Sequence, residues 1–255
     1  MKKALSVLLI CALLGGLCLP VSAAENDRLL TLVNPWNTIP EDWQVELVSI
    51  GNGHRVDKTC YADLTAMLEA CRAAGYAPVV RSSYRSQKTQ EQLHENKVRQ
   101  WKGYGYSEEE ARKKAATIVA VPGTSEHQLG WAVDIVDKSY QVLNEKQATM
   151  PAQKWLMEHS WEYGFILRYP VDKSGVTGII YEPWHYRYVG RDNAKAIYDS
   201  GLCMEEYLER ETVRSAVRER YLELARRILK VLTGKEQLGT AVDLTAPLPQ
   251  TVMKP

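Results

Sequence analysis

Apolar residues recur at helical spacing through much of the chain. Leu64, Met67, Leu68 and Cys71 follow the three- and four-residue spacing of one helical face, which predicts a helix over 57–74. Similar spacing, ended by glycine or proline, predicts the other helices. They cover 87–102, 107–120, 151–163, 191–200 and the long segment 204–232.

Short β-rich runs lie between these helices. Residues 131–136 are predicted to form a strand, in which successive side chains point to opposite faces. Ala132 and Asp134 then lie on one face, and Val133 and Ile135 lie on the other. This predicted strand carries a carboxylate on a buried face, which is costly unless the group is paired or binds a metal. The other predicted strands are 45–50, 77–81, 165–169, 178–181 and 186–189, the last continuing 178–181.

The first residues have the order of a secretory signal peptide. Lys2 and Lys3 form a positive end, 5–19 is an apolar run, and Pro20 precedes the small residues of 21–24. A retained membrane anchor is the alternative, but a spanning helix needs about 20 apolar residues and this run is shorter. We therefore expect an exported protein that is extracytoplasmic, either associated with the cell wall or secreted.

The cysteines predict no disulfide framework. Cys60, Cys71 and Cys203 follow the leader, an odd number without the paired C-x-x-C spacing of a structural zinc site. Cys60 and Cys71 fall on one predicted helix, about 16 Å apart at a rise of about 1.5 Å per residue, which is too far for a disulfide. We expect three buried residues or free thiols.

The charge distribution gives no reason to expect a nucleic-acid partner, since the formal net charge is +1. The segment 204–232 is rich in arginine and glutamate, and its basic residues could rest on anionic lipid. A solvated helix with Glu–Arg pairs at helical spacing explains the same composition and is favoured. Vesicle binding of residues 204–255 across salt concentrations would separate the two. The proline-containing tail that follows is predicted to be disordered.

Two short clusters carry the candidate chemistry. His127 and Asp134 lie seven positions apart, and Glu182 and His185 lie together about fifty residues further on. Two imidazoles and one carboxylate form a usual ligand set for a catalytic zinc and leave a fourth position for water. Glu182 is then a spare carboxylate, placed to take a proton from water and pass it to a leaving amine.

Each pattern also has a purely structural interpretation. Either cluster alone is more often part of a core or a turn, so the prediction depends on both occurring in one exported chain. Arg85, between a predicted strand and a helix, can reach a substrate carboxylate or an oxyanion, but such an arginine is more often a solvated loop residue. His54, His94 and His159 lie in predicted helices or turns outside the two clusters and are expected to be surface or packing residues.

Three motifs follow one another along the chain. They are Ser82-x-Tyr84-Arg85-Ser86-x-x-x-Gln90, then Ser125-x-His127-x-x-Gly130-x-Ala132-x-Asp134, then Glu182-Pro183-Trp184-His185-x-Arg187-Tyr188-Val189-Gly190. In this order they resemble the motifs of the VanY-type zinc D-alanyl-D-alanine carboxypeptidases and of their relatives that cut L,D bonds. The resemblance covers about 43–208.

The resemblance implies zinc on His127, Asp134 and His185, with Glu182 as the general base. It also implies that Arg85 binds the substrate and stabilises the transition state. The other expected substrate-binding residues are Ser125, Gln128, Tyr84, Ser86, Gln90 and Trp184.

The implied fold is a small α+β domain, with helices packed on a mainly antiparallel sheet and the zinc in a cleft. The C-terminal helical extension beyond Leu208 lies outside the resemblance and is predicted from its residue pattern alone. The implied partner is a peptidoglycan stem peptide. The expected segments are a signal peptide over 1–24, a lead-in over 25–42, the zinc carboxypeptidase domain over 43–208, and a helix with a disordered tail over 209–255.

The implied reaction is removal of the terminal D-Ala from stem peptides ending in D-Ala-D-Ala. An L,D-carboxypeptidase that trims tetrapeptide stems would share the zinc residues and differ in its pocket, so the motifs leave this alternative open. A wall-binding module that has kept the fold without activity is less favoured, because all four residues of the two clusters are present.

Overall fold

The computed structural model describes residues 28–233. The predicted signal peptide and nearly all of the predicted disordered tail lie outside these residues. Among the described residues, no helix is both long and apolar enough to cross a bilayer.

Six strands and seven helices make up the described chain. The strands are β1 Leu47–Gly51, β2 His54–Asp57, β3 Pro78–Ser82, β4 Ala132–Asp137, β5 Phe165–Leu167 and β6 His185–Tyr188. The helices are α1 Lys58–Ala73, α2 Gln87–Gly103, α3 Glu108–Ala116, α4 Pro151–His159, the one-turn α5 Ser174–Thr177, α6 Arg191–Ser200 and α7 Met204–Leu232.

The strands form two antiparallel sheets. β1 and β2 make a hairpin, and the other four strands pair in the order β3-β4-β6-β5. The predicted α+β fold with a small antiparallel sheet is therefore confirmed.

One face of the four-stranded sheet carries the hydrophobic core. Val133 and Ile135 of β4 and Tyr186 of β6 belong to this core, together with residues of α1 and α4 such as Leu64 and Leu156. Because neighbouring residues of a strand point to opposite faces, Asp134 and His185 are left on the other face. The predicted alternation in β4 thus separates the packing side of the sheet from the polar side.

Helix starts follow from capping side chains. Asp57 accepts from the Thr59 amide at the start of α1, and Ser86 accepts from the Thr89 amide at the start of α2. Ser107 and Glu110 form a reciprocal capping box at α3. These bonds satisfy amides that have no partner within the helix.

The prediction of a strand over 178–181 is wrong. These residues form a loop after α5, and the amide of Ile180 donates to the carbonyl of Thr117 rather than to a strand. Pro183 follows within the next turn. The run is apolar because Ile179 is buried and lines a cleft, which produces a β-like pattern without a strand partner.

The described chain divides into two compact units, one comprising residues 28–207 and the other beginning at Leu208 within α7. In the second unit, Arg210 and Arg214 both bond Glu211, at 3.3 and 3.0 Å. The first unit contains three buried cysteines with free thiols, as predicted: Cys60, Cys71 and Cys203.

Candidate metal centre and cleft

Two paired strands bring the central carboxylate and one histidine together. Asp134 on β4 lies directly opposite His185 on β6, and Ser82 on β3 is its partner on the other side. Directly opposite residues of an antiparallel pair have Cβ atoms about 4.5–5.5 Å apart. The sheet register therefore sets the distance between two groups that are far apart in sequence.

The second histidine lies in the turn that precedes β4. His127 belongs to a short 3-10 turn, Glu126–Leu129, and Gly130 follows it with a φ of 80°. A Cβ at Gly130 would lie 2.7 Å from Cγ1 of Val45, so both the backbone conformation and the packing require glycine. This turn holds the His127 imidazole beside the start of the strand that carries Asp134.

The three side chains converge on one point. Oδ1 of Asp134 lies 3.3 Å from Nε2 of His127 and 3.1 Å from Nδ1 of His185. One donor atom from each residue lies within 4.8 Å of the others, and all three residues are buried. Two imidazole nitrogens and one carboxylate oxygen in this arrangement fit a zinc ion with one coordination position left open.

Charge and burial favour different protonation states in the two histidines. Burial and the nearby charge of Arg85 lower the pKa of His127 to about 4, so its imidazole is neutral at neutral pH. Burial also opposes the charged form of His185, but hydrogen bonds to Asp134 and Glu126 raise its pKa to about 9. His127 is therefore ready to donate a lone pair, whereas a metal at His185 replaces a proton.

Glu182 lies beside the three converging groups. Its Oε2 is 3.7 Å from Nδ1 of His185, and only 8% of its side chain is exposed. Burial raises the pKa of this carboxyl to about 8. A group with a pKa near neutrality can both accept and return a proton.

Arg85 reaches the same site from the turn between β3 and α2. Its Nη2 donates to Oδ2 of Asp134 at 2.8 Å, and its Nε donates to Oγ of Ser82 at 2.9 Å. Nη1 lies 3.4 Å from Oε1 of the buried Gln90. The guanidinium is thereby fixed at the wall of the cleft, with its charge close to Asp134 and His127.

These groups line a cleft of about 720 Å³. Two of the predicted substrate-binding residues, Ser125 and Trp184, belong to its wall. One side comes from α2 through Leu93 and Lys97, and another comes from the segment after β4 through residues 143–146. This volume falls within the range of about 300–1,000 Å³ that is typical of ligand pockets.

The other four predicted substrate-binding residues are not among the described residues that line the cleft: Tyr84, Ser86, Gln90 and Gln128. The Ser86 hydroxyl caps α2, and the Gln90 amide donates to the Ala120 carbonyl at 2.7 Å. Gln128 accepts from the Gly123 amide and donates to Gln87. Their roles toward a substrate stay predictions.

Sequence reasoning missed a buried charge cluster behind His185. Glu126 bonds Arg168 and Arg187, and Arg168 also bonds Glu205 through two nitrogens. Although burial opposes ionisation, the two arginines hold the pKa of Glu126 well below its usual range. The sequence feature that could have indicated the cluster is an arginine within each of two predicted strands. Arg168 lies in the predicted strand 165–169, just after β5, and Arg187 lies in β6.

The comparisons with known proteins agree with this geometry. The family model described as VanY, D-alanyl-D-alanine carboxypeptidase, matches residues 53–191. A D-alanyl-D-alanine carboxypeptidase of Enterococcus faecalis is 46% identical over 188 residues, which is 73% of this chain and 68% of the relative.

Two solved structures extend the likeness to the fold. One is a mutant of a vancomycin-resistance D,D-pentapeptidase, VanY, from a VanB-type cassette in complex with Zn(II). It is 46% identical with a TM-score of 0.65, covering 70% of this chain and 98% of the other. The second is the LD-carboxypeptidase LdcB, 34% identical with a TM-score of 0.61, covering 73% of this chain and 88% of the other.

The family match spans the candidate metal centre and all the described residues that line the cleft. His127, Asp134 and His185 lie within the matched range, as do Glu182 and Arg85. On this ground the chain belongs to the VanY family of D-alanyl-D-alanine carboxypeptidases.

Proposed function

We propose that this protein is a zinc-dependent D,D-carboxypeptidase that removes the terminal D-Ala from peptidoglycan stem peptides ending in D-Ala-D-Ala. The observation that carries the proposal is the convergence of His127, Asp134 and His185 beside Glu182 in an accessible cleft. The identity to a D-alanyl-D-alanine carboxypeptidase supports the substrate, and the Zn(II) complex of a relative supports the metal.

His127 would bind zinc through Nε2, His185 through Nδ1 and Asp134 through Oδ1, because these are the atoms that face one another. A zinc ion held there supplies a Lewis acid for the scissile carbonyl and lowers the pKa of the attacking water. His127 is held for this role by Nδ1, which lies 2.8 Å from the carbonyl oxygen of Ser83. That bond leaves the proton on Nδ1 and the lone pair on Nε2.

Glu182 moves the proton. Its carboxylate takes a proton from water as the water oxygen bonds to the carbonyl carbon of the peptide. When the carbon–nitrogen bond breaks, Glu182 returns that proton to the amine of the departing D-alanine. The buried position next to His185 keeps the carboxyl close to the reacting atoms through both steps.

Arg85 binds the substrate and stabilises charge. Its guanidinium carries a permanent charge and lies at the cleft wall, fixed by Ser82 and Asp134. In this position it can attract the terminal carboxylate of the peptide or the negative oxygen that develops during attack. Ser125 and Trp184 are proposed as further contacts, because both line the same cleft.

The first test is amino-acid release from a synthetic stem pentapeptide ending in D-Ala-D-Ala and from the corresponding tetrapeptide. We expect D-Ala release from the pentapeptide, loss of that release with a chelator, and recovery when zinc is restored. The similarity to LdcB makes L,D-cleavage the second candidate. Release from the tetrapeptide alone would move the specificity to L,D, and release from neither in zinc-loaded protein would overturn both assignments.

The proposed site of action lies outside the cytoplasm, because the leader over 1–24 has the order of a cleaved signal peptide. We expect the protein from expressing cells to begin near residue 25 and to be found in the medium or the wall fraction. Mass spectrometry of its N-terminal peptide measures this directly. An intact leader on protein from the membrane fraction would favour the anchor instead.

Membrane contact through α7 is not favoured, since its arginines include intrahelical pairs with Glu211.

A further inference from the structure

A buried group of four charges lies on the side of His185 that faces away from Asp134. Glu126, Arg168, Arg187 and Glu205 are each at most 2% exposed. The two carboxylates and two guanidiniums balance in charge. Clusters of this kind are costly to bury and are a weak source of stability. The position of these four charges beside His185 therefore suggests a role other than stabilising the fold.

Glu126 divides its two oxygens between these partners. Oε1 accepts from Nε of Arg168 at 2.7 Å and from Nη1 of Arg187 at 2.9 Å. Oε2 lies 3.3 Å from Nε2 of His185. The arginines thus anchor one oxygen and leave the other directed at the imidazole ring.

The arginines are in turn held by distant parts of the same compact unit. Arg168 bonds both oxygens of Glu205 in the first turn of α7, at 2.9 and 2.6 Å. Arg187 donates to the carbonyls of Leu29 and Thr31 near the start of the described chain. The carboxylate of Glu126 is consequently fixed from several directions.

The direction of this contact decides which nitrogen of His185 is free. An ionised carboxylate accepts hydrogen bonds and donates none, so Nε2 of His185 carries a proton that it donates to Glu126. Nδ1 faces Asp134, and a metal bound there replaces the other ring proton while Nε2 keeps its own. His127 has the opposite arrangement, because its Nδ1 faces the Ser83 carbonyl and its Nε2 faces Asp134.

We propose that Glu126 is a positioning residue of the metal centre, which fixes the ring orientation and the tautomer of His185 and is itself anchored by Arg168 and Arg187. The inference depends on the proposed metal site but on no particular substrate. Carboxylates that accept from a metal-bound histidine orient the ligand and raise its basicity. Arg168 extends the arrangement to Glu205, so the first turn of α7 takes part in holding the site.

The test is the zinc affinity of Glu126→Gln, measured by competition with a chromophoric chelator. Arg168 and Arg187 will retain the side-chain oxygen of the glutamine, which turns its amide nitrogen toward His185. The amide then donates to Nε2 and leaves the proton on Nδ1, where zinc should bind. We expect the affinity for zinc to fall about 10- to 100-fold and the visible spectrum of the cobalt-loaded protein to change.

The matched control is Asp137→Asn, which also removes a buried carboxylate charge from the same region of the fold. Asp137 ends β4 and accepts from Ser139 and Ala152. It is not one of the three converging residues His127, Asp134 and His185, called here the metal trio. We expect its zinc affinity to change by less than about twofold, because its hydrogen-bond partners are not shared with the metal trio. Glu126→Gln protein that is folded and binds zinc as tightly as the wild type would overturn the proposal.

A measurement on the unaltered protein keeps the proposal testable if Glu126→Gln does not fold. Nitrogen-15 NMR of the zinc-loaded protein distinguishes a protonated Nε2 from a metal-bound one. We expect His185 to carry its proton on Nε2 and His127 to carry its proton on Nδ1. Zinc on Nε2 of His185 would exclude the role of Glu126. Neither measurement uses turnover, so a failed carboxypeptidase assay would not affect the result.

Discussion

Glu182→Gln is expected to retain zinc and to lose most of its turnover. Glutamine has nearly the same shape, but it cannot take a proton from water or return one to the leaving amine. General acid–base catalysis contributes about 10²- to 10⁴-fold, so kcat on the D-Ala-D-Ala pentapeptide should fall by that factor. The measurements are D-Ala release and zinc content on the same preparation.

The control is Glu95→Gln, which removes an exposed carboxylate that pairs with Arg112 at 2.7 Å, away from the cleft lining. We expect this variant to keep full activity. Zinc-loaded Glu182→Gln with unchanged kcat would remove Glu182 as the base. A loss of zinc from that variant would instead show that the carboxylate belongs to the metal site.

The local elements of this fold could be predicted because local signals specify them. Asp57 and Ser86 cap helices at the predicted starts, and the 191–200 helix has the predicted ends. The end of α3 was predicted too late, at residue 120 instead of Ala116. The residues after Ala116 lie against α2 instead, where the carbonyls of Val119 and Ala120 accept from the side chains of His94 and Gln90.

The metal trio could also be predicted, because its members lie in short motifs with an unusual combination of residues. The sequence did not reveal how they meet, since the pairing of Asp134 with His185 joins residues 51 positions apart. The cluster around Glu126 was missed for the same reason. Its partners Arg168 and Arg187 are 42 and 61 positions away, and no spacing rule connects them.

His185→Ala is expected to abolish zinc binding at working concentrations and to remove activity. The substitution deletes one of three ligands and leaves Asp134 and Glu126 without their histidine partner. A bound metal contributes several kcal/mol of transition-state stabilisation. Each 1.36 kcal/mol is tenfold in rate, so kcat/KM should fall by about 10³-fold or more. Zinc content after dialysis and D-Ala release with added zinc measure the two effects separately.

His159→Ala is the matched control, because it removes a histidine that pairs with Glu162 on the surface, away from the metal trio. It should keep both zinc and activity. The change leaves two buried carboxylates, Asp134 and Glu126, without their hydrogen-bond partner, which could unfold the protein. Circular dichroism must therefore show that His185→Ala is folded. Folded His185→Ala with unchanged zinc affinity would exclude His185 as a ligand. Lost zinc with full activity would show that hydrolysis does not use the metal, and the proposed function would then fail.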